Sequence, residues 1–335
     1  MSRTRVLLLC GGRSDEHDVS LASARSVLAA AGETFEIMPL VIDRQGHLLP
    51  AEASHRALSG EKTNSFAASG LERLEKSAFD VVLPLLHGPY GEDGSVQGLL
   101  KIMGLPFVGS DVLGSAVGMD KGMMKAVFAA HGLPQVPYRV VTRRTWESEP
   151  ERVITELETL PYPLFVKPAN LGSSVGITQA VDQESLRDAL GAAARFDRRL
   201  IVERGLVGVR ELEVGVLGND APEASVVGEI GADGAFYDYE KKYTEGEVSL
   251  LIPADVPEHL AVQCRQLALS AFRAIDASGL ARVDFFLQGG TLYLNEINTM
   301  PGFTRTSMYP KLWEASGVPY SELITRLLEL ALEPR

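Results

Sequence analysis

Two carboxylates and a carboxamide lie near the C-terminal end of the sequence, in two apolar runs separated by Gly289-Gly290. Asp284 lies in the first run, and Glu296 and Asn298 lie in the second. Carboxylate and amide oxygens suit Mg2+, which proteins usually hold with one or two carboxylates and the phosphates of a nucleotide. The spacing therefore outlines a divalent-cation site. A pair of acids on the solvated face of a sheet is the alternative.

These side chains converge only if the two runs form paired strands in the right register. Because side chains alternate between the faces of a strand, each strand should present one set of residues to the site. The sets are Arg282, Asp284 and Phe286 on the first strand and Leu294, Glu296 and Asn298 on the second. Asp284 and Glu296 point the same way only if an odd number of residues separates the strands. We therefore predict a loop of three or five residues instead of a tight Gly-Gly turn.

Length and composition limit the class of protein. The 335 residues, 45% of them hydrophobic, predict two or three domains with ample material for a core. No apolar run is long enough to cross a bilayer and the N-terminus is too short for a signal peptide, so we expect a cytoplasmic protein without a membrane partner. The net charge of −12 opposes nucleic-acid binding. Cys10 and Cys264, without other ligands at metal spacing, are expected to be core residues.

The N-terminal part of the chain alternates between strand and helix patterns, which predicts an α/β layer. Predicted strands lie at 5–10, 35–42 and 80–86, and a loop at 14–20 precedes a helix that ends near residue 31. Ligands bind beyond the carboxyl ends of such strands, where residues 11–16 and 87–94 fall. Gly11-Gly12 lacks the third glycine and the acid of a dinucleotide fingerprint.

Two further units follow. Between 119 and 205 the patterns predict a small α+β unit, with helices at 121–130 and 183–195 and strands at 138–141, 164–167 and 200–203. The polar, proline-containing stretch 141–163 is expected to be an exposed connection. After residue 206 come alternating strands, a helix at 258–275, the two strands of the cation site and a helix at 320–332. We therefore expect three domains, at 1–118, 119–205 and 206–335.

A lysine followed by a glycine-rich loop suggests phosphate binding. Lys167 ends a predicted strand, and the small residues of Gly172-Ser-Ser-Val-Gly176 let backbone N–H groups approach phosphate oxygens. The Gly-Lys-Ser/Thr signature of a P-loop is absent, which excludes that fold. Lys121 is a second candidate for phosphate binding. A plain glycine-rich turn is the alternative.

Eight motifs, in order from about residue 5 to 330, resemble the D-alanine–D-alanine ligases of the ATP-grasp superfamily. They are Ser14-x-Glu-His-x-Val-Ser20, His87-Gly…Gly-Glu-Asp-Gly94, Met119-Asp-Lys121, Val166-Lys-Pro…Gly-Ser-Ser-Val-Gly176, Arg210-Glu-Leu-Glu-Val-Gly215, Phe236-Tyr-Asp-Tyr-Glu-Lys-Lys-Tyr243, Arg282-Val-Asp284 and Asn295-Glu-Ile-Asn-Thr-Met-Pro-Gly-Phe-Thr304. The resemblance implies a three-domain ATP-grasp fold, mixing α/β and α+β units, with an N-terminal Rossmann-like α/β domain. It also implies ATP, two Mg2+ or Mn2+ ions, room for an activating monovalent cation, and a homodimer.

The reaction that the resemblance implies joins two D-alanines for peptidoglycan precursor synthesis. ATP phosphorylates the carboxylate of one D-alanine, and the amino group of the second attacks the acyl phosphate to give D-alanyl-D-alanine, ADP and phosphate. Phosphorylation provides a good leaving group, and both steps create negative charge that cations and preorganised donors must offset.

The resemblance also assigns roles residue by residue. The catalytic residues are Glu16, Ser173, Tyr243, Arg282, Gly302 and Ser307. The nucleotide would contact Lys121, Lys167, Ser174, Glu203, Leu206, Glu211 and Lys242. D-Alanine would contact Glu16, His87, Ser307 and Met308, and the metal ligands are Asp284, Glu296 and Asn298.

In this assignment Glu16 holds the ammonium of the first D-alanine, and Ser173 and Tyr243 are linked to it by hydrogen bonds. A lid at about 237–253 would exclude water, which would otherwise hydrolyse the acyl phosphate. The presence of Tyr243 favours an amine acceptor, D-alanine over D-lactate. A helix N-terminal charge is the alternative for Glu16, and a solvated hairpin tip is the alternative for the lid.

The remaining roles concern the reacting carboxylate and the nucleotide base. Arg282 and the N–H of Gly302 match the oxyanion hole, although Arg282 could equally pair with Glu296 across the sheet. Ser307, with Met308 beside it, matches the residue that binds the carboxylate of the second D-alanine. His87 is similar to a second-subsite residue, with a structural cap as the alternative. Glu203 and Glu211 match the acids that accept hydrogen bonds from the adenine amino group and the ribose hydroxyls.

Two other functions compete with this one. A different ATP-grasp carboxylate–amine ligase would share the metal ligands and lysines but differ at Glu16, Tyr243 and Ser307. A noncatalytic nucleotide-binding module would be expected to lack some of Arg282, Asp284, Glu296 and Asn298, and all four are present.

Removing one metal-ligand charge tests the cation site. We expect Glu296→Gln to keep the fold but lose most turnover, because a carboxylate between the metal ions becomes a neutral amide. Turnover is measured as ADP release, and circular dichroism checks the fold. Normal turnover by the variant would show that the assigned metal role is wrong.

Overall fold

The computed structural model describes residues 3–31, 35–61, 77–172, 176–231 and 249–334, and within these ranges the chain forms three β-sheets with helices packed against them. The strands are β1 (Thr4–Gly11), β2 (Phe35–Ile42), β3 (Val81–Leu85), β4 (Tyr138–Thr142), β5 (Leu164–Pro168), β6 (Thr178–Ala180), β7 (Arg199–Arg204), β8 (Arg210–Gly218), β9 (Glu223–Gly231), β10 (Ser249–Leu251), β11 (Gly279–Gln288) and β12 (Thr291–Asn298). The helices are α1 (His17–Ala30), α2 (Ala51–Leu58), α3 (Ser95–Ile102), α4 (Val112–Met119), α5 (Lys121–Ala130), α6 (Arg143–Ser148), α7 (Pro150–Leu157), α8 (Gln183–Ala193), α9 (Glu258–Ala274), α10 (Met308–Ala315) and α11 (Tyr320–Leu332).

The N-terminal sheet is parallel, in the order β2-β1-β3, as the α/β pattern predicts. Its central strand is apolar and almost wholly buried because helices cover both faces of a parallel sheet. Helix α1 begins at His17, so the loop predicted over 14–20 is shorter than expected. The reason is the side chain of Ser20, which accepts a hydrogen bond from the Gly11 amide and donates one to the Leu85 carbonyl. Ser20 thus links the first turn of α1 to the C-terminal ends of β1 and β3.

The central sheet is antiparallel, in the order β4-β7-β5-β6, and α8 packs against it. The prediction that 141–163 is only an exposed connection is wrong. Helices α6 and α7 occupy most of it, and Val153, Ile154 and Leu157 of α7 are buried in the core of this unit. Pro150 stands at the first turn of α7, where a proline without an N–H begins a helix instead of interrupting one.

The C-terminal sheet is antiparallel, in the order β10-β9-β8-β11-β12. Helix α9 packs on it through buried residues that include Cys264 and Phe272, and Met124 and Phe128 of α5 belong to the same core. The boundary at residue 119 stays a proposal, since α5 packs with the sheet of the third unit. Both cysteines are buried as predicted, and burial raises the pKa of the Cys10 and Cys264 thiols to about 12.

The hairpin β11–β12 corrects the predicted loop. Gln288 pairs with Thr291, so the connection is the two-residue turn Gly289-Gly290 that the parity argument rejected. A β-bulge at Asn295 adds one unpaired residue to β12, so Phe285 pairs with Leu294 while Asp284 pairs with Glu296. The bulge therefore brings Asp284 and Glu296 opposite each other without an odd-numbered loop.

The bulge also changes which residues share a face. We expected Leu294 to share the site face with Glu296 and Asn298, and this prediction is wrong. Leu294 is instead buried in the core with Phe285. The extra residue lets Leu294 and Ile297 both face the core while Glu296 keeps its place opposite Asp284. None of the helices in the described ranges has the length and apolar character needed to span a membrane.

The Gly289-Gly290 turn gives a test of the hairpin. Both residues have positive φ, 56° and 83°, and a Cβ at either would meet no heavy atom within 4 Å. We expect Gly290→Val to lower the free energy of unfolding by about 1–2 kcal/mol, because an L-residue is strained in this conformation. Gly289→Asn is the control and should be nearly neutral, since asparagine tolerates positive φ. Denaturant unfolding measures both, and equal stabilities would contradict the turn geometry.

Candidate active site

A cavity lies where the three sheets approach one another, and residues from all three units line it. Glu16 and His87 follow strands of the N-terminal sheet, Lys121 begins α5, and Gly172 lies in the loop after β5. The C-terminal sheet contributes Arg282, Glu296 and Asn298, and the loop after β12 contributes residues 299–302. Some of the residues that the sequence singled out for a cation, a phosphate and a substrate therefore face a common space. Asp284, Lys167 and Ser307 are not among its lining residues.

Glu16 occupies the N-cap position of α1, but its side chain caps no helical amide. A Cβ at Gly172 would lie 2.7 Å from Glu16 Oε1, and one at Gly88 would lie 2.9 Å from it. The carboxylate thus lies against two glycine backbones where any larger residue would displace it. This geometry favours a ligand-binding position over a helix N-terminal charge, and it brings the glycine-rich loop next to Glu16.

Hydrogen bonds fix the loop that carries Gly302 on both sides of that residue. His87 Nδ1 lies 3.0 Å from the Met300 carbonyl oxygen, and the Phe303 amide donates to Ser23 Oγ at 3.4 Å. The Tyr320 hydroxyl donates to the Phe303 carbonyl at 2.6 Å, and the Phe303 ring is fully buried. Among the described residues, none accepts a hydrogen bond from the Gly302 amide. The loop is therefore rigid, with an N–H available for an oxyanion.

His87 has protein partners at both ring nitrogens. Its Nε2 lies 3.1 Å from Ser23 Oγ, and its Nδ1 is held by the Met300 carbonyl. Burial lowers the pKa of His87, so the ring is neutral at physiological pH. These contacts support the structural alternative for His87, although the ring also borders the cavity. A direct substrate contact stays a prediction.

Glu92 is a site residue that the sequence argument did not single out, although it lies inside the motif at 87–94. Its Oε1 accepts a hydrogen bond from the Gly88 amide at 2.7 Å, and its Oε2 accepts one from the Met300 amide at 3.3 Å. Removal from water, followed by the nearby Glu16 charge, raises the pKa of Glu92 to about 8. Burial therefore favours the protonated form of Glu92, and its carboxyl group joins two site loops.

Three acids lie side by side across the C-terminal sheet, because Asp284 of β11 pairs with Glu213 of β8 and with Glu296 of β12. Arg282 makes a bidentate ion pair with Asp284, with both N–O distances 2.7 Å, and an ion pair with Glu213 at 2.9 Å. Although burial acts against its charged form, these acids raise the pKa of Arg282 far above its usual value. Glu213 was not predicted as a site residue, although it lies two residues after Glu211 on β8. Residues at that spacing share one face of a strand.

The predicted metal ligands come together as the sequence indicated. Asn298 Nδ2 donates to Asp284 Oδ2 at 3.0 Å, and Glu296 lies opposite Asp284. Within the described ranges there is no group of three or more histidine, cysteine, aspartate or glutamate side chains arranged to hold a metal by themselves. Two carboxylates and one amide fit Mg2+ or Mn2+ that completes its coordination with phosphate oxygens and water.

Glu203 has partners that differ from the predicted adenine amino group. Its carboxylate is buried, with Oε2 2.5 Å from Lys167 Nζ and Oε1 2.7 Å from Lys125 Nζ. Burial opposes ionisation of this carboxyl, but the two ammonium groups outweigh that effect and lower its pKa. Lys125 is a buried residue that the sequence argument did not consider.

The other predicted nucleotide contacts surround the same region. Lys121 Nζ donates to the Leu171 carbonyl at 2.6 Å and lies 4.0 Å from Glu296 Oε2. Glu211 is half-buried on β8, and Leu206 is half-buried in the connection between β7 and β8. Their positions are consistent with contacts to a nucleotide lying between the second and third sheets.

Ser307 occupies the N-cap position of α10 without a side-chain capping hydrogen bond, and its Oγ lies 2.7 Å from the Thr304 hydroxyl oxygen. Met308 is buried and packs over Gly228 of β9, where a Cβ would lie 3.0 Å from its sulfur. The structure therefore gives Met308 a packing role, and its contact with substrate stays a prediction. Ser173, Ser174, Lys242 and Tyr243 lie outside the described residues, as does the predicted lid apart from residues 249–253.

Comparisons with known proteins agree with this fold and site. The model of the D-ala D-ala ligase N-terminus matches residues 5–110, and that of the D-ala D-ala ligase C-terminus matches residues 127–329. A D-alanine–D-alanine ligase of Deinococcus radiodurans is 54% identical over 99% of this chain and 100% of the relative. One of Geobacillus thermodenitrificans is 48% identical over 99% and 96% of the two chains.

Solved structures extend the comparison. The D-alanine-D-alanine ligase of Coxiella burnetii superposes with a TM-score of 0.82 at 35% identity, covering 99% of this chain and 94% of that one. The VanG D-Ala:D-Ser ligase of Enterococcus faecalis gives a TM-score of 0.86 at 31% identity, covering 98% and 100%.

The three sheets and the cavity between them define an ATP-grasp protein. Within that class, the chain belongs to the D-alanine–D-alanine ligase family, as both family models and the full-length relatives show.

The raised pKa of Glu92 predicts a pH-dependent contribution to stability. The native state keeps the Glu92 proton up to about pH 8, whereas the unfolded chain releases it near 4.5. As pH rises from 5 to 8, the wild type should therefore lose stability relative to Glu92→Gln, by at most about 1.4 kcal/mol per pH unit. Unfolding without ligands, followed at several pH values, measures this difference.

The exposed Glu52 of α2 provides the matched control. The free energy of unfolding of Glu52→Gln should change with pH in the same way as that of the wild type across this range. If the free energy of unfolding of Glu92→Gln also follows that of the wild type with pH, Glu92 is not protonated in the native protein.

Proposed function

We propose that this protein joins two D-alanines into D-alanyl-D-alanine and converts ATP to ADP and phosphate. The observation that carries the proposal is the convergence of three groups in one cavity, in a chain of this family. Glu16 lies on one side, Arg282 and the Gly302 amide lie on another, and Glu296 with Asn298 face them. A lone nucleotide-binding module has no need of the first two groups.

Glu16 and Arg282 would orient the first D-alanine. Its ammonium pairs with the Glu16 carboxylate, and its carboxylate turns towards Arg282 and the amide of Gly302. Because burial favours the protonated form of Glu92, Glu16 would be the acid that pairs with the ammonium at this end of the cavity. The rigid loop around Gly302 holds its N–H in place for the oxyanion that forms when the second amino group attacks.

Asp284, Glu296 and Asn298 would hold two Mg2+ or Mn2+ ions, which offset phosphate charge while the terminal phosphoryl group moves. Lys121, at the N-terminal end of α5 and near Glu296, would contact the same phosphates. The D-alanine carboxylate oxygen attacks the terminal phosphorus and ADP leaves, which gives the acyl phosphate. The amino group of the second D-alanine then attacks the carbonyl carbon and phosphate leaves.

Further assignments rest on the family alone. We propose Ser307 as the contact for the carboxylate of the second D-alanine, and Ser173 and Tyr243 as the groups that close a lid near 237–253. Ser174, Leu206, Glu211 and Lys242 complete the nucleotide contacts. The protein would act as a cytoplasmic homodimer with domains at 1–118, 119–205 and 206–335. An amine acceptor is favoured over D-lactate.

A product assay tests the proposal. With D-alanine, ATP and Mg2+, mass detection should show D-alanyl-D-alanine in a one-to-one ratio with ADP. L-Alanine in place of D-alanine should give neither product. Mixtures of D-alanine with D-serine or D-lactate define the second substrate, because one structural relative is a D-Ala:D-Ser ligase. ATP binding without any D-alanine-dependent ADP would contradict the proposal.

A further inference from the structure

A buried carboxylate in the nucleotide region has two ammonium groups as partners. Glu203 is 3% exposed, and each of its oxygens faces its own lysine, Lys125 at 2.7 Å and Lys167 at 2.5 Å. The approach of Lys125 to Oε1 is not that of a directional hydrogen bond, so the contact is an ion pair. The three groups together carry a net charge of +1, which suits a site for an anion.

The two lysines differ in their surroundings. Lys125 is 1% exposed on α5, one helical turn beyond Lys121 and on the same face. Within the described ranges, Glu203 is the one carboxylate that lies within 4.0 Å of its ammonium, and the Tyr138 ring lies 5.8 Å away. Lys125 is thus buried with Glu203 as its counter-ion and is not among the residues that line the cavity.

Lys167, in contrast, lies next to the last residue of β5, on the strand that leads to the glycine-rich loop. The charges of Glu296 and Glu211, both on the nucleotide side, also act on its ammonium. A phosphate anion near Glu296 would draw Lys167 away from Glu203. Without a second partner, that movement would leave a buried carboxylate unpaired, which is strongly unfavourable.

We propose that Lys125 is a positioning residue, the permanent counter-ion of Glu203 that frees Lys167 to bind the phosphates of ATP. This inference rests on the proposed use of ATP and concerns a residue that takes no part in the chemical steps. Lys125 acts through Glu203 alone, so its effect should vanish when Glu203 carries no charge.

A double-mutant cycle tests this dependence, with ATP affinity measured by calorimetry in the absence of D-alanine. Lys125→Met should weaken ATP binding by about tenfold or more, since Lys167 stays on Glu203. In the Glu203→Gln background, the same change should alter ATP affinity by less than about twofold. Glutamine keeps an acceptor oxygen at this position. In steady-state assays KM for ATP should rise in the single variant, while KM for D-alanine stays within about twofold.

The second comparison, between Glu203→Gln and Lys125→Met/Glu203→Gln, decides the matter even if Lys125→Met alone does not fold. The double variant carries neither charge of the buried pair and is expected to fold. Glu203→Gln leaves the buried Lys125 ammonium without its carboxylate, so circular dichroism checks its fold, and the double variant is compared directly with the wild type if that single variant does not fold. A loss of ATP affinity in the double variant equal to that in Lys125→Met would overturn the proposal, as would wild-type affinity in Lys125→Met. Because calorimetry follows ATP without D-alanine, a different amino-acid substrate would not change these results.

Discussion

The row of three acids across the C-terminal sheet sets the main constraint on this structure. Glu213, Asp284 and Glu296 lie on neighbouring strands, at the spacing at which like charges repel. Arg282 pairs with the first two and offsets one of their two negative charges, while Glu296 faces the cavity near Lys121. Because Glu213 is buried and the other two acids are partly buried, cations beside the row reduce its repulsion, and divalent ions are suited to that role. Binding of metal and nucleotide is thus tied to the charge balance of the fold.

Rigid backbone holds the other half of the site. The loop after β12 approaches the N-terminal sheet. His87 and Glu92 hold it at Met300, on one side of Gly302, and Ser23 and Tyr320 hold it at Phe303, on the other side. Glu16, the acid proposed to bind the first substrate, belongs to that same N-terminal unit. The distance between Glu16 and the Gly302 amide is therefore fixed by contacts between the N-terminal unit and the loop after β12.

Much of this could be predicted from the sequence, because alternation and turn chemistry are local. Strand β2 and helix α11 have the predicted bounds, and the convergence of Asp284, Glu296 and Asn298 was expected from strand periodicity. The bulge at Asn295 was not predictable, because a one-residue insertion in a ladder leaves no local signature, and it reversed the inferred loop length. Helix α7 was missed because its short apolar face is set among charged residues. Lys125 and Glu203 meet only through the packing of α5 against β7, which no spacing in the sequence reveals.

The central claim is that the carboxylate of one D-alanine takes the terminal phosphoryl group of ATP before the peptide bond forms. Labelling the carboxylate of D-alanine with 18O tests it directly, because the oxygen that bonds to phosphorus must leave with the phosphate. Mass analysis of the released inorganic phosphate should then show one 18O atom for each dipeptide formed. Phosphate without the label, accompanied by dipeptide, would contradict an acyl-phosphate route and the site geometry on which it rests.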